Sequence, residues 1–210
     1  RNKNQLLKIF QQAKPDVVFH LAAQPLVLSS YEDPVSTWET NVMGSLNVME
    51  CLKTINHLCA VVMVTTDKVY ELGNSTSPKK EADHLGGHDP YSSSKAAMEI
   101  AISSWRQSFF SQSGIKIATA RAGNVIGGGD WSSNRIIPDL INALRHKTIL
   151  ELRNPEAVRP WQHVLDPLFG YLKLAEALYL DQQDVFQTSF NFGPNKRSTA
   201  TVHDLVNAAG

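Results

Sequence analysis

The 210-residue sequence predicts an α/β fold, a Rossmann-like doubly wound parallel sheet that carries a smaller mixed α/β lobe. Short, uncharged, β-branched runs alternate with segments of helical periodicity, the order that covers a parallel sheet with helices. Polar or glycine-rich loops follow those runs, at the strand ends where open parallel sheets bind ligands. With 42% hydrophobic and 19% charged residues, the chain has enough apolar surface for a core. We place the sheet domain at 1–133 and mainly the smaller lobe at 134–210, with chain exchanged between them.

The elements follow in order. Leu6, Leu7, Phe10 and Ala13 recur at helical spacing through residues 5–12, and Pro15 stops that helix. DVVFHL at 16–21 reads as a buried strand. Asp33 as N-cap and Pro34 at N1 then start a long helix expected to bury Val35, Trp38, Val42, Leu46 and Met49. AVVMVT at 60–65 is short, β-branched and uncharged, a second strand buried on both faces. Residues 66–88 form a polar loop of a length that compact domains reserve for function. Asp89 caps a helix from Pro90, and a strand at 115–121 ends in a glycine-rich turn at 122–130. Beyond Asn134 the pattern weakens to short helices at 136–144 and 167–180 and β segments at 149–152 and 189–192.

Twenty basic and 20 acidic side chains cancel, and no run of Lys or Arg forms a basic stripe, so neither nucleic acid nor an anionic membrane is an expected partner. The longest apolar run, 59–64, is far too short to span a bilayer, and residues 1–14 lack the apolar core of a signal peptide. A soluble, cytoplasmic protein is expected. Cys51 and Cys59 have no ligand spacing with histidines; both read as free thiols, and no metal site is expected.

The sharpest chemical signal is Tyr91-Ser-Ser-Ser-Lys95. Positions i and i+4 share a helix face, so an ammonium lies beside a phenol. A tyrosine with an ordinary pKa near 10 becomes a usable base only when neighbouring positive charge favours phenolate. A bare YxxxK also marks many exposed helix starts. Here it follows a strand ending in Thr65 and Thr66, whose hydroxyls suit a sugar oxygen, and precedes a strand entering a glycine-rich turn. GxxxxG at 123–128 is followed by Asp130 and Trp131 rather than Lys and Ser/Thr, which rejects a nucleoside triphosphatase. His20 on its strand reads as a satisfied core histidine, and Trp38 as core packing. Trp131 and Trp161 suit either stacking on a base or sugar or filling space between the lobes. Asn41, mid-helix, suits a bridge between loops as well as ligand contact.

These elements in this order resemble the extended short-chain dehydrogenase/reductase family of NAD-dependent epimerases and dehydratases. FHLAAQ at 19–24, the Asn41-Val-Met-Gly44 segment, TTD, YxxxK and RAGNVIGGGDW fall where that family has its cofactor and catalytic loops. QPLV, TDK, DPYSSSK, ARAGNVIGGGDW and NPEAVRPWQHV are similar to its CDP-glucose 4,6-dehydratases rather than its dTDP- or UDP-sugar branches. Residues 1–133 are then the NAD-binding domain and 134–210 the substrate-binding lobe. The GxxGxxG turn and ribose carboxylate that begin family members are missing, so the resemblance implies an N-terminally truncated chain, inactive by itself and weak in NAD binding. Leu28 stands where an arginine is expected, and ELGNS after Tyr70 also departs from the pattern.

The resemblance implies the following roles. Leu21, Ala22, Ala23, Gln24, Asn41, Thr65, Tyr91 and Lys95 contact NAD. Thr66 and Tyr91 hold and deprotonate the C4 hydroxyl, and Asp67 and Lys68 divide the proton transfers of elimination. Asn124 meets the hexose or its phosphate, and Arg159 forks onto the diphosphate, as a guanidinium does better than an ammonium. Arg135, Arg153 and His163 are further substrate contacts, Arg153 suiting a solvated surface cation equally. CDP-glucose loses hydride from C4, water across C5 and C6, and regains hydride at C6, giving the 4-keto-6-deoxy sugar used in bacterial O-antigen. A homodimer through the helices near Pro34 and Pro90 is expected. A 4-epimerase or reductase on the same scaffold, and a non-catalytic cofactor-binding protein, are the alternatives.

Overall fold

The computed structural model describes residues 1–73, 77–194 and 199–209. Its first elements are α1 (Lys3–Ala13), β1 (Val17–His20), α2 (Val27–Glu32), α3 (Pro34–Trp38), α4 (Gly44–Leu52), β2 (Cys59–Val64), α5 (Pro90–Trp105) and β3 (Ile115–Ala122). They are followed by β4 (Asn124–Ile126), α6 (Ile136–His146), β5 (Val158–Arg159), β6 (Trp161–His163), α7 (Leu165–Leu180), β7 (Ser189–Phe192), β8 (Ala200–Thr201) and α8 (Val202–Ala209). The chain divides into two units, Arg1–Ala122 with Gly170–Asn191, and Gly123–Phe169 with Phe192–Gly210. The sequence reading drew its line at 133/134; here the second unit takes over at Gly123.

In the first unit the strands lie in the order β1-β2-β3-β7. β1 and β3 both run parallel to β2, with Val17 opposite Ala60 and Cys59 opposite Ile115. This is the predicted Rossmann-like parallel sheet. One core cluster joins it to α1, α4 and α5 through Phe10, Met49, Leu52, Met63, Met98, Ile102 and Phe110. Each such side chain contributes about 1.5–3 kcal/mol by leaving water. Cys51 and Cys59, both free thiols, lie buried in the same cluster. Burial holds the Cys59 thiol up at about 12, with Asp16 adding to the shift, so it stays protonated and inert.

Three expectations fail in instructive ways. β1 is not a buried strand: Val17 and Phe19 are exposed, and among the described residues β1 pairs with β2 alone. The long helix is capped as foreseen, the Asp33 carboxylate accepting from the Ser36 N–H at 3.0 Å. It is interrupted, however, by a π-helical turn at Glu39–Met43 between α3 and α4. Its buried face carries Thr37, Asn41 and Ser45 before reaching Val48 and Met49, while Val35 and Trp38 are exposed. These polar groups turn inward because each has a hydrogen-bond partner there, whereas apolar periodicity alone placed Val35 and Trp38 inside. The segment 149–152 forms no strand, and Ile149 is exposed. Helices α2 and α8 and the short strands β5 and β8 were not foreseen.

The second unit holds two small ladders. β4 and β6 are parallel, Asn124 opposite Trp161 and Ile126 opposite His163, and β5 and β8 are antiparallel. Gly127 permits this packing, since a Cβ there would lie 2.7 Å from Val164 Cγ1. Among the described residues no helix is long and apolar enough to cross a membrane.

Candidate active site

β2 ends in Thr65 and Thr66, and the chain then tightens into a 3₁₀ turn at Asp67–Val69. Thr66 caps that turn: its hydroxyl accepts from the Lys68 N–H at 3.4 Å and donates to Asp67 Oδ1 at 3.3 Å. The turn packs against α5. That helix begins with a full capping box, Asp89 accepting from the Ser92 N–H while the Ser92 hydroxyl reaches back to Asp89. The Tyr91 N–H, left over at the helix start, donates to the buried Ser30 hydroxyl of α2 at 3.2 Å.

Tyr91 and Lys95 lie one turn apart on the buried face of α5. Lys95 Nζ donates to the Val64 carbonyl at 3.1 Å, pinning the helix to the end of β2, and to Met98 Sδ at 3.9 Å. Burial holds Lys95 down at about 8, with Glu99 opposing that shift. The Lys68 ammonium lies 5.9 Å from the Tyr91 ring centroid. One ammonium therefore lies over the Tyr91 ring, and a second, Lys95, follows one turn later on the same buried helix face. Thr66, Asp67, Lys68, Tyr91 and Lys95 thus meet at the carboxyl end of β2.

The loop after β1 is organised by amides. The Gln24 N–H donates to Asn41 Oδ1 at 2.8 Å, and Asn41 Nδ2 donates to the Gln24 carbonyl and to Ser94 Oγ at 3.1 and 2.9 Å. Asn41 therefore ties the loop to α5 with both amide hydrogens, the bridging role left open by the sequence. Gln24 Nε2 donates in turn to Thr37 Oγ1 and to the Leu26 carbonyl. Leu21 and Ala22 remain exposed, with Ala23 half-buried. His20 is the core histidine expected, bonded to Ser45 Oγ at 3.0 Å and held down at about 4 by burial and by Lys95. Thr65, read as a cofactor contact, spends its hydroxyl on Glu99 Oε1 at 2.5 Å.

Glu99 was missed by the sequence reading, and it anchors the largest buried network. Its carboxylate also accepts from Thr119 at 2.8 Å, from Ser189 at 3.2 Å, and from Arg121 Nε and Nη2 at 3.0 and 2.9 Å. Burial pushes its pKa up, but the Arg121 bonds and charge outweigh that and hold it below the ordinary carboxylate value. Two signals were available: Tyr91, Lys95 and Glu99 repeat at i, i+4 and i+8, and Arg121 is a charge in a strand otherwise buried.

In the second unit, Asn124 is half-buried on β4, and Arg153 and Arg159 are exposed. Arg159 Nη1 folds back onto the Val158 carbonyl at 3.0 Å, and Arg135 pairs with Asp130 at 3.3 Å. His163 is exposed, its Nδ1 accepting from the Leu165 N–H. The Trp161 indole donates to the Ala200 carbonyl, while exposed Trp131 carries Arg145 5.8 Å above its ring. Leu28 is exposed, and of the ELGNS departure, Asn74 and Ser75 lie outside the described residues.

Residues 1–188 match the model of the NAD dependent epimerase/dehydratase family. The chain belongs to that family. Among its relatives, a CDP-glucose 4,6-dehydratase of Salmonella typhimurium is 43% identical over 98% of this chain and 58% of its own length. A UDP-glucose 4-epimerase of Mycoplasma pneumoniae is 28% identical, over 91% of this chain and 60% of its own. The chain therefore spans less than two thirds of each of these family members. Among solved structures, the dTDP-glucose 4,6-dehydratase DesIV of Streptomyces venezuelae, with NAD and TYD bound, superposes with a TM-score of 0.82. It shares 23% identity over 99% of this chain and 59% of its own, a likeness of fold. The parallel sheet with helices described above is the family's architecture.

Proposed function

We propose that the protein to which this chain belongs converts CDP-glucose to CDP-4-keto-6-deoxyglucose and water. The observation that carries the reading is Lys68 beside the Tyr91 ring, which brings the TDK turn and the YxxxK helix to one place. The 43% identity to a relative named CDP-glucose 4,6-dehydratase supports the substrate.

The residues fit NAD in one telling respect. Lys95 is a buried ammonium with three donors, of which one meets a carbonyl and another only a thioether, so it can still serve a ligand hydroxyl. Leu21, Ala22, Ala23 and Gln24 would line the cofactor, with Asn41 and Thr65 acting beneath them. When bound, NAD supplies the acceptor for hydride from C4 and the donor of the same hydride to C6. Tyr91, as phenolate, removes the C4 hydroxyl proton while Thr66 orients that oxygen. The C4 ketone then acidifies C5–H. Lys68 is the candidate to take that proton, once its own has left, or to orient the sugar, and Asp67 to give one to the departing C6 oxygen. Asn124, Arg135, Arg153, Arg159 and His163 are the proposed substrate contacts, with Arg159 for the diphosphate. The proposed compartment is the cytoplasm, which suits two buried free thiols.

The 28% relative named UDP-glucose 4-epimerase favours a second reading, in which C4 is oxidised and reduced with no elimination. Incubating the full-length protein with CDP-glucose separates the two, since a 4-keto sugar develops an ultraviolet band in alkali and an epimer does not. Asp67→Asn and Lys68→Met are each expected to lower 6-deoxy product about a hundredfold or more while C4 oxidation continues. Enzyme-bound NADH then accumulates in a single turnover. Product formation at the parent rate in both variants would remove Asp67 and Lys68 from the elimination step.

A further inference from the structure

The loop that follows Thr66 is fastened near its start by the buried hydroxyl of Tyr70. Tyr70 OH accepts from Arg121 Nη1 at 2.8 Å and donates to Asn191 Oδ1 at 2.5 Å. Its ring lies 5.1 Å from the Arg121 guanidinium carbon, and the side chain is almost wholly buried. The same two partners hold the returning limb of the loop. Arg121 Nη1 donates to the Glu81 carbonyl at 3.1 Å, Asn191 Nδ2 to the Lys79 carbonyl at 3.3 Å, and the Asn191 N–H to Glu81 Oε1 at 3.0 Å. The limbs also pair with each other, the Glu71 N–H to the His84 carbonyl and the Gly86 N–H to the Val69 carbonyl. All these residues lie in the first unit.

The anchors of the residues proposed for the two halves of the reaction meet at one side chain, Arg121, which bonds both Glu99 and Tyr70. Thr65 and Thr66 continue β2: the Thr65 N–H donates to the Ala120 carbonyl, and its hydroxyl to Glu99. Tyr91 and Lys95 are fixed by α5 and by the Lys95 bond to Val64. None of these bonds passes through Tyr70. Asp67 and Lys68 occupy a three-residue 3₁₀ turn whose first end is held by Thr66 and whose second end runs directly into Tyr70. Loosening the Tyr70 hydroxyl frees that end of the turn and leaves the strand end and the helix in place.

From this we infer that Tyr70, clamped between Arg121 and Asn191, is a positioning residue for the elimination half of the reaction and not for the C4 oxidation half. The inference rests on the dehydratase reading and deepens it. Displacement by about 1 Å of groups that must reach a proton in flight lowers a rate by about a hundredfold, whereas Tyr91 chemistry is left near the parent rate.

The test uses the full-length protein in single turnover with CDP-glucose. Tyr70→Phe keeps the ring and its packing and removes only the hydroxyl. Asn191→Ala removes the clamp from the other side, so it reports even if the first variant does not fold. Each is expected to form NADH within about threefold of the parent rate and then to release 6-deoxy product at least about tenfold more slowly. A role in stability alone would instead slow both halves together or neither, and either result overturns the inference. Asp67→Asn serves as the reference: if it accumulates NADH and the clamp variants do not, the elimination pair stands and the clamp falls. If the parent protein forms no 4-keto sugar from CDP-glucose, the dehydratase reading fails first.

Discussion

Lys95 illustrates how one buried side chain couples chemistry to stability. Burial holds it down at about 8, well below an ordinary lysine. Between pH 8 and about 10.4 the folded chain has released a proton that the unfolded chain still holds, so folding becomes more favourable as pH rises through that window. Below pH 8 the full penalty of the buried charge, about 3 kcal/mol, is present. Lys95→Met is therefore expected to be more stable than the parent at neutral pH, with the advantage shrinking above pH 8. Denaturant unfolding over a pH series checks this; an advantage that does not change with pH would show that folding leaves the Lys95 pKa where it is in the unfolded chain. Tyr91 and Lys95 were legible from sequence because a four-residue spacing is a local property of any helix. Glu99 and Arg121 each carried a signal, but their pairing did not, because they sit 22 residues apart on different elements and only the packed sheet brings them together.

At the scale of elements, the start of α5 depends on how closely the preceding loop can pass. A Cβ on Gly87 would lie 2.5 Å from the Ser93 backbone nitrogen and 2.7 Å from the Ser92 carbonyl carbon, so only glycine fits. The Ser93 hydroxyl binds the Gly87 carbonyl at 2.9 Å, locking that approach. Gly87→Ala is expected to force the loop off the first turn, destabilising the chain by about 2 kcal/mol or more and displacing Tyr91. A thermal midpoint unchanged from the parent would refute it. The capping of α5 by Asp89 was readable because caps are local sequence patterns. The break in the helix that Asp33 begins was not. Its buried face is chosen by hydrogen-bond partners on Gln24 and Ser94, which apolar periodicity does not register.

For the whole molecule, the exposed side of the helices near Pro34 matters most. Tyr31, Val35, Trp38 and Met43 lie exposed on α2, α3 and the π turn, a concentration of large apolar groups that soluble monomers seldom leave in water. We propose that a second copy of the chain covers them. Trp38→Lys is expected to shift a dimer of the full-length protein towards monomer by at least about tenfold in dissociation constant, read by light scattering against concentration. An unchanged mass would place the interface elsewhere.

The Glu99 carboxylate carries a different consequence, one for synthesis. It gathers Thr65 after the end of β2, Thr119 and Arg121 of β3, and Ser189 of β7 around one charge. Ser189 lies 90 residues further along the chain than Glu99. A nascent chain ending before it therefore holds a charged centre with one ligand missing and the outer face of β3 unpaired. The sheet of the first unit gains its fourth strand only after that late segment has left the ribosome, and until then the edge of β3 is open to wrong pairing.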